Sequence, residues 1–220
     1  MQEVLHHQLE VLKTGLPEYT VVGVGREDGK TAGEYAPIFF KQAKYTLLDQ
    51  NTFWLCEKPD SVGMVGWDAA LTRIATWVKL QDKKTGQILM VVNTHFDHIG
   101  TEARRNSALL IIEKIKEIVG TSPAILTGDF NVSEDWDAYK TITNNEFILK
   151  DAHKVAGKRT GVDFTYHNFG KIPAEKCEKI DFIFVTPQIR VISSYIPFSQ
   201  LNDTLFLSDH NPEIVELEIK

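Results

Sequence analysis

"PAILTGDFNVS", residues 123–133, runs from a short apolar strand into Thr-Gly-Asp-Phe-Asn. In extended chain, alternate side chains share a face, so Asp129 and Asn131 are expected to look at one spot together. Taken alone, such a segment is as readily a turn, because Gly, Asp and Asn are common turn residues. What decides is whether other strands run into polar clusters of the same kind.

Three others do. "MVVNTHFDH" (90–98) delivers His95 and Asp97, again two apart. "KIDFIFV" (179–185) places Asp181 at the head of an apolar strand, and "LSDHNP" (207–212) places Asp209 and His210 just before the last one. Four turns with this residue choice are harder to explain than one site. Its chemistry points to phosphate-ester hydrolysis. Carboxylate oxygens suit a hard divalent cation, which neutralises phosphate charge and helps generate hydroxide. Asp and His position and deprotonate water, and Asn and His hydrogen-bond phosphoryl oxygens.

The rest of the chain supplies a scaffold. Leu5, Leu9, Leu12 and Leu16 follow helical spacing, and Gly15-Leu16-Pro17 ends that helix. "YTVVGVG" (19–25) reads as a strand, and "IFFKQAKYTLLDQNTFWL" (38–55) as a hairpin or two strands with a turn between. "RIATWVKLQDKKTGQILMVVNTH" (73–95) is a hairpin closed by a Lys-Lys-Thr-Gly turn. Ala108, Ile111, Ile112, Ile115, Ile118 and Val119 predict an amphipathic helix within 101–119. A helix around "EDWDAYKTIT" (134–143) and a long polar loop over 151–161 precede three β-rich runs, "KIDFIFVT", "IRVISSYI" and "EIVELEIK". Hairpins mixed with a few helices give α+β, with two sheets face to face and helices outside.

With 220 residues and neither repeat nor linker, one domain over 1–220 is the expectation. No apolar run approaches a membrane span. The start, "MQEVLHHQLE", has no basic-then-apolar export signal, so a cytoplasmic location is the default expectation. A net charge of −6 argues mildly against backbone-driven nucleic-acid binding. Cys56 and Cys177 have no metal-type spacing and read as free thiols.

The ordered set "QE" (2–3), "NTHFDH", "GDFN", "IDFIFV", "SDHNP" resembles the endonuclease/exonuclease/phosphatase (DNase I-like) superfamily over the whole chain. It is most similar to a bacterial branch of metal-dependent hydrolases, through "GVGREDGKTAGEYAPIFF" (23–40), "FWLCEKP" (53–59), "GWDAALTRIATW" (66–77) and "TYHNF" (165–169). The resemblance implies a four-layer α/β sandwich, two packed mixed sheets flanked by helices, with Mg²⁺ or Mn²⁺ as cofactor. It implies Glu3 and Asp209 as metal ligands, Asp129 as the residue activating water, and Asn131 as the phosphoryl binder. By the same resemblance His210 is the catalytic histidine, paired with Asp181. His95 hydrogen-bonds the phosphate and protonates the leaving oxygen, and Glu34 orients His95. Asp97, Arg104 and His167 are further candidates for substrate contact.

One departure stands out. Members begin with a strand whose asparagine helps hold the metal, whereas here Met1 directly precedes "QEV". The resemblance therefore implies an N-terminally truncated domain, weakened metal binding, and a gap or exposed sheet edge that a second copy could pair with as a homodimer. The expected substrate is a small phosphorylated molecule, a sugar or nucleotide phosphate. The alternatives are a nuclease acting on DNA or RNA, and a catalytically impaired binding homologue.

Overall fold

A computed structural model describes residues 1–144, 149–202 and 205–219; Lys220, the end of the last predicted strand, lies outside them. The first half of the chain runs α1 (His6–Gly15), β1 (Tyr19–Val22), β2 (Ile38–Lys41), β3 (Tyr45–Trp54), β4 (Ile74–Asp82), β5 (Ile88–His95), α2 (Thr101–Val119) and β6 (Ala124–Asp129). Then come α3 (Asp137–Thr143), β7 (Lys150–Asp151), α4 (Ala152–Val155), β8 (Lys158–Gly161), β9 (Asp181–Val185) and β10 (Ile189–Ile196). The chain closes with β11 (Gln200–Asn202), β12 (Leu205–Phe206) and β13 (Ile214–Ile219).

A six-stranded sheet, ordered β3-β4-β5-β6-β9-β7, is the backbone of the fold. Its pairs are antiparallel except β5–β6, which is parallel and is joined through α2. Alternation sets its two faces. One turns Met90, Val92, Leu126, Phe182 and Phe184 toward Ile111 and Ile115 of α2 and Tyr139 and Ile142 of α3. On the other, Val78, Leu80 and Leu89 meet Val22, Ile38 and Phe40 of the β1–β2 ladder. Farther along that face, Ile125 and Ile183 meet Val191 of β10 and Leu217 of β13. Helix α1 covers the far side of β1–β2 through Leu9, packed near Val21 and Phe39. Helix, sheet, strand ladders and helix make the four layers of an α+β, DNase I-like sandwich.

The second strand layer is split. β1–β2 forms one ladder and β13-β10-β8 another, so β13 has a partner on one side only among the described residues. Residues 38–55 form two strands with a turn between rather than a hairpin: β2 pairs with β1 and β3 with β4, so the Gln42–Lys44 turn carries the chain between layers. One expectation needs correcting: the stretch 151–161 is not one polar loop. Asp151 accepts from His153 N–H as the N-cap of α4, which buries Ala152, and β8 then runs parallel to β10. Its polar residues disguised a capped turn of helix and an edge strand. No helix among the described residues is long and apolar enough to cross a membrane, and both cysteines are free thiols.

The aromatic wedge between the main sheet and its helices should dominate stability. Phe184 is fully buried and lies 5.2 Å from Phe130 and 5.5 Å from Phe182, centroid to centroid. Phe184→Ala is expected to cost about 3–5 kcal/mol, read as a lower urea midpoint at unchanged slope.

Candidate active site

Register builds the site. His95 stands opposite Asp129 across the parallel β5–β6 pair, and Asp129 stands opposite Asp181 across the antiparallel β6–β9 pair. Three adjacent strands therefore put three polar side chains in one row on one face. Gly128 permits the close approach of β5 and β6 beside it: a Cβ there would lie 2.5 Å from the Thr94 carbonyl oxygen.

Asp129 divides its carboxylate between two tasks. Oδ1 accepts the Asn131 N–H at 2.8 Å, closing an Asx turn that holds Asn131 at φ +49°. Oδ2 lies 3.5 Å from His95 Nε2 and 3.9 Å from His210 Nε2. The Asn131 side chain donates from Nδ2 to the Phe96 carbonyl at 3.0 Å. His210 Nδ1 meets Asp181 Oδ2 at 2.7 Å, leaving Nε2 as the edge turned toward Asp129. Asp129, Asp181 and His210 thus form one tight donor group, with ligand atoms within 4.8 Å of one another.

The electrostatics differ sharply between the two imidazoles. Burial works against charge on His210, but the Asp181 hydrogen bond and charge, with Asp129 and Asp209, outweigh it and raise its pKa to about 9. His95 goes the other way: burial first, then the cations Arg73 and Arg26, press it well below the usual imidazole value. His210 is therefore the cation of the site and His95 a neutral ring. Asp129 is raised, first by burial and then by the Asp181 carboxylate.

A second donor group gathers Glu3, Glu34 and His95, again within 4.8 Å. Glu3 sits at φ +58°, a conformation uncommon for glutamate, with its carboxylate 4.0 Å from His95 Nε2. Partial burial and the carboxylates of Glu34 and Asp209 raise its pKa. Crowded carboxylates beside an imidazole are a donor set that fits a hard divalent cation. Asp209 belongs to neither tight group, although its charge is felt at both Glu3 and His210.

Other sequence candidates turn inward. Asp97 is buried and accepts backbone N–H groups of Leu71, Ile99 and Gly100, beside Arg73 Nε at 3.5 Å. Both its oxygens are committed to the loop, so it shapes the site and is not placed to touch substrate. His167 is 1% exposed and packs among Phe164, Phe198 and Phe206, while its N–H bonds the Asp209 carbonyl. The aromatic packing explains its burial, and it supports the loop that carries Asp209 and His210. Arg104 is also buried, with Nη1 donating to the Asp97 carbonyl at 3.0 Å.

Sequence reasoning passed over two pairs. Arg26, ion-paired with Glu34, and Arg73 line a small buried pocket with His95. Both arginines lie in stretches that carried the family resemblance, "GVGREDG" and "LTRIATW", so a signal existed. Lys179 and Glu213 form a buried ion pair at 2.9 Å, and Lys179 also donates to the Asp181 carbonyl at 2.7 Å. Nothing in the sequence marked that pair.

A sequence profile described as "Endonuclease/Exonuclease/phosphatase family" matches residues 1–210. An uncharacterized protein of Acanthamoeba polyphaga mimivirus is 30% identical over 96% of this chain and 80% of its own length. Among solved structures, an endonuclease/exonuclease/phosphatase from Bacteroides vulgatus is 64% identical, with a TM-score of 0.97 over 100% of this chain and 84% of that one. The mannosyl-6-phosphatase of Bacteroides thetaiotaomicron is 38% identical, with a TM-score of 0.92 over 99% and 84%. The human Nocturnin catalytic domain, at 17% identity and a TM-score of 0.77 over 100% and 79%, shares the fold. With the row His95–Asp129–Asp181 and its partner His210 on the same scaffold, the chain belongs to the endonuclease/exonuclease/phosphatase family, a family of phosphoesterases and nucleases.

Proposed function

We propose that this chain is a phosphatase that hydrolyses the monoester of a small phosphorylated molecule, a sugar phosphate in the first instance. One observation carries the reading: a carboxylate, a carboxylate-paired imidazolium and a neutral imidazole converge at Asp129 Oδ2, His210 and His95. The likeness to a mannosyl-6-phosphatase supports a sugar phosphate over other small esters. The acidic balance of the chain does not favour a nucleic-acid backbone.

In this reading Asp129 aligns a water and takes its proton as the water oxygen attacks phosphorus. The bond from phosphorus to the ester oxygen breaks, and the leaving oxygen needs a proton. Resemblance assigns that proton to His95, but the electrostatics favour His210, which holds one at neutral pH while His95 does not. His95 instead donates an N–H to a phosphoryl oxygen. Asn131, with one of its two amide hydrogens engaged at Phe96, offers the other to the same group. Glu3 and Glu34, with Asp209 nearby, would hold Mg²⁺ or Mn²⁺, which supplies charge neutralisation for the phosphate when bound.

Asp129→Asn, nearly isosteric, should lower kcat by roughly 10²–10⁴, the scale of a lost general base, while the melting profile changes little. Wild-type turnover in that variant would end the assignment.

The dyad makes a separate forecast. The folded pKa of His210, about 9, lies above the unfolded reference of roughly 6.5. Its stabilising contribution is therefore fully present below about pH 6.5 and is lost as pH rises through about 9. In Asp181→Asn, an NMR titration of His210 should show its pKa falling by more than about one unit. An unchanged value would detach Asp181 from the histidine.

A further inference from the structure

On the helix side of the main sheet, past the ends of β5 and β6, lies a cavity of about 310 Å³ that the reaction as described does not use. Its walls come from the start of α2 and from the loop that follows β6, the two segments leaving the strand ends that present His95 and Asp129. Val132, next to Asn131, forms part of it, and Arg104, Arg105, Asp135, Trp136 and Asp137 surround it.

Trp136 is not accounted for by the core. It is 44% exposed, yet its ring is held: the Arg104 guanidinium lies 5.0 Å from the ring centroid. Arg104 is itself 4% exposed, bonded through Nη1 to the Asp97 carbonyl, and its buried Nε has no hydrogen-bond partner. A buried cation spent on fixing an exposed indole makes a preorganised aromatic surface. The same loop ties that surface to the phosphoryl site. Asn131 hangs from the Phe96 carbonyl and Arg104 from the next one, Asp97, each at 3.0 Å. Consecutive residues are about 3.8 Å apart, so one short stretch of backbone sets the spacing between phosphoryl holder and aromatic platform.

The rim also has a distinctive charge. Arg105 stands on it with Asp135 and Asp137, a donor beside two acceptors, while Arg104 is buried against the indole. Such a rim does not select a second phosphate, and it does suit several hydroxyls. An apolar plate with convergent donors and acceptors is what a hydroxylated ring requires, since its C–H face seeks apolar contact and its edges seek hydrogen bonds.

We propose that this cavity is the leaving-group subsite, in which a sugar ring rests on Trp136 while its phosphate lies at Asn131, His95 and His210. The proposal rests on the phosphatase reading and adds where the sugar sits and which residue selects it. A nucleobase on the same ring is the competing occupant.

Titration calorimetry on Asp129→Asn, whose slowed turnover lets binding be read, separates these cases. The probes are mannose 6-phosphate, glycerol 3-phosphate and adenosine 5′-monophosphate. Adding Trp136→Ala should weaken mannose 6-phosphate roughly five- to tenfold, the effect of losing about 1 kcal/mol or slightly more of aromatic contact. Glycerol 3-phosphate, which has no ring, should change less than about twofold, and Trp136→Phe should retain most of the affinity. Equal loss for both phosphates, no loss for either, or a loss confined to the nucleotide overturns the subsite. If no phosphate binds, the phosphatase reading fails, and a phosphate-free sugar still tests the subsite. Millimolar methyl α-mannoside should then shift the indole N–H resonance that is missing from the Trp136→Ala spectrum. An unmoved resonance would overturn the subsite as well.

Discussion

The pairing register of β5, β6 and β9 is the constraint on which the site depends. His95, Asp129 and Asp181 share a face only because they are direct partners across two successive ladders. A slip of one residue in either pair would turn the affected side chains toward Ile111 and Tyr139, among apolar residues that cannot solvate them. The apolar residues of the same strands make such a slip prohibitive. Leu126, Phe182 and Phe184 are locked against the helices, so packing on one face fixes chemistry on the other.

That row concentrates charge where water is scarce, and the resulting conflict gives each group its character. Burial and the neighbouring Asp181 carboxylate together raise the pKa of Asp129, and the site calls for a cation. His210 supplies it, bonded to one carboxylate and facing the other. One strand away, burial, with Arg73 and Arg26 beside it, has the reverse effect and keeps His95 neutral. Two histidines in one pocket are thus driven to opposite protonation states, the arrangement that one charged and one neutral hydrogen-bond donor require.

Much of this could be read from the chain. Alternation along 123–131 and 90–97 made Asp129 and Asn131, or His95 and Asp97, candidates to share a face, and the apolar spacing of α2 set the layer behind them. Alternation failed just past both strand ends: an Asx turn, not extended chain, places Asn131 at φ +49°, and Asp97 lies beyond the end of β5. There the backbone turns into the loop, and three N–H groups claim the carboxylate. Pairing partners across layers were not legible, because a strand's own pattern says that it has two faces but not which neighbour covers each. Nor was the burial of His167, whose motif resembles a substrate contact while its ring fills an aromatic pocket.

Lys179 and Glu213 show why the last part of a site escapes such reading. Their side chains are 7% and 3% exposed, and Ser194 donates to the free oxygen of Glu213 at 3.2 Å. Lys179 precedes Asp181 by two residues, and Glu213 follows His210 by three. The pair therefore joins the two segments whose side chains meet in the dyad, and Lys179 reaches the carbonyl of Asp181 itself. A buried ion pair is rarely the most stable filling for such a space, because removing both charges from water costs nearly what their attraction returns. It does resist displacement, since any shift that separates the partners leaves an unpaired charge in the interior. The pair thus ties the segment of Asp181 to that of His210 through a contact whose loss leaves a charge unpaired in the interior.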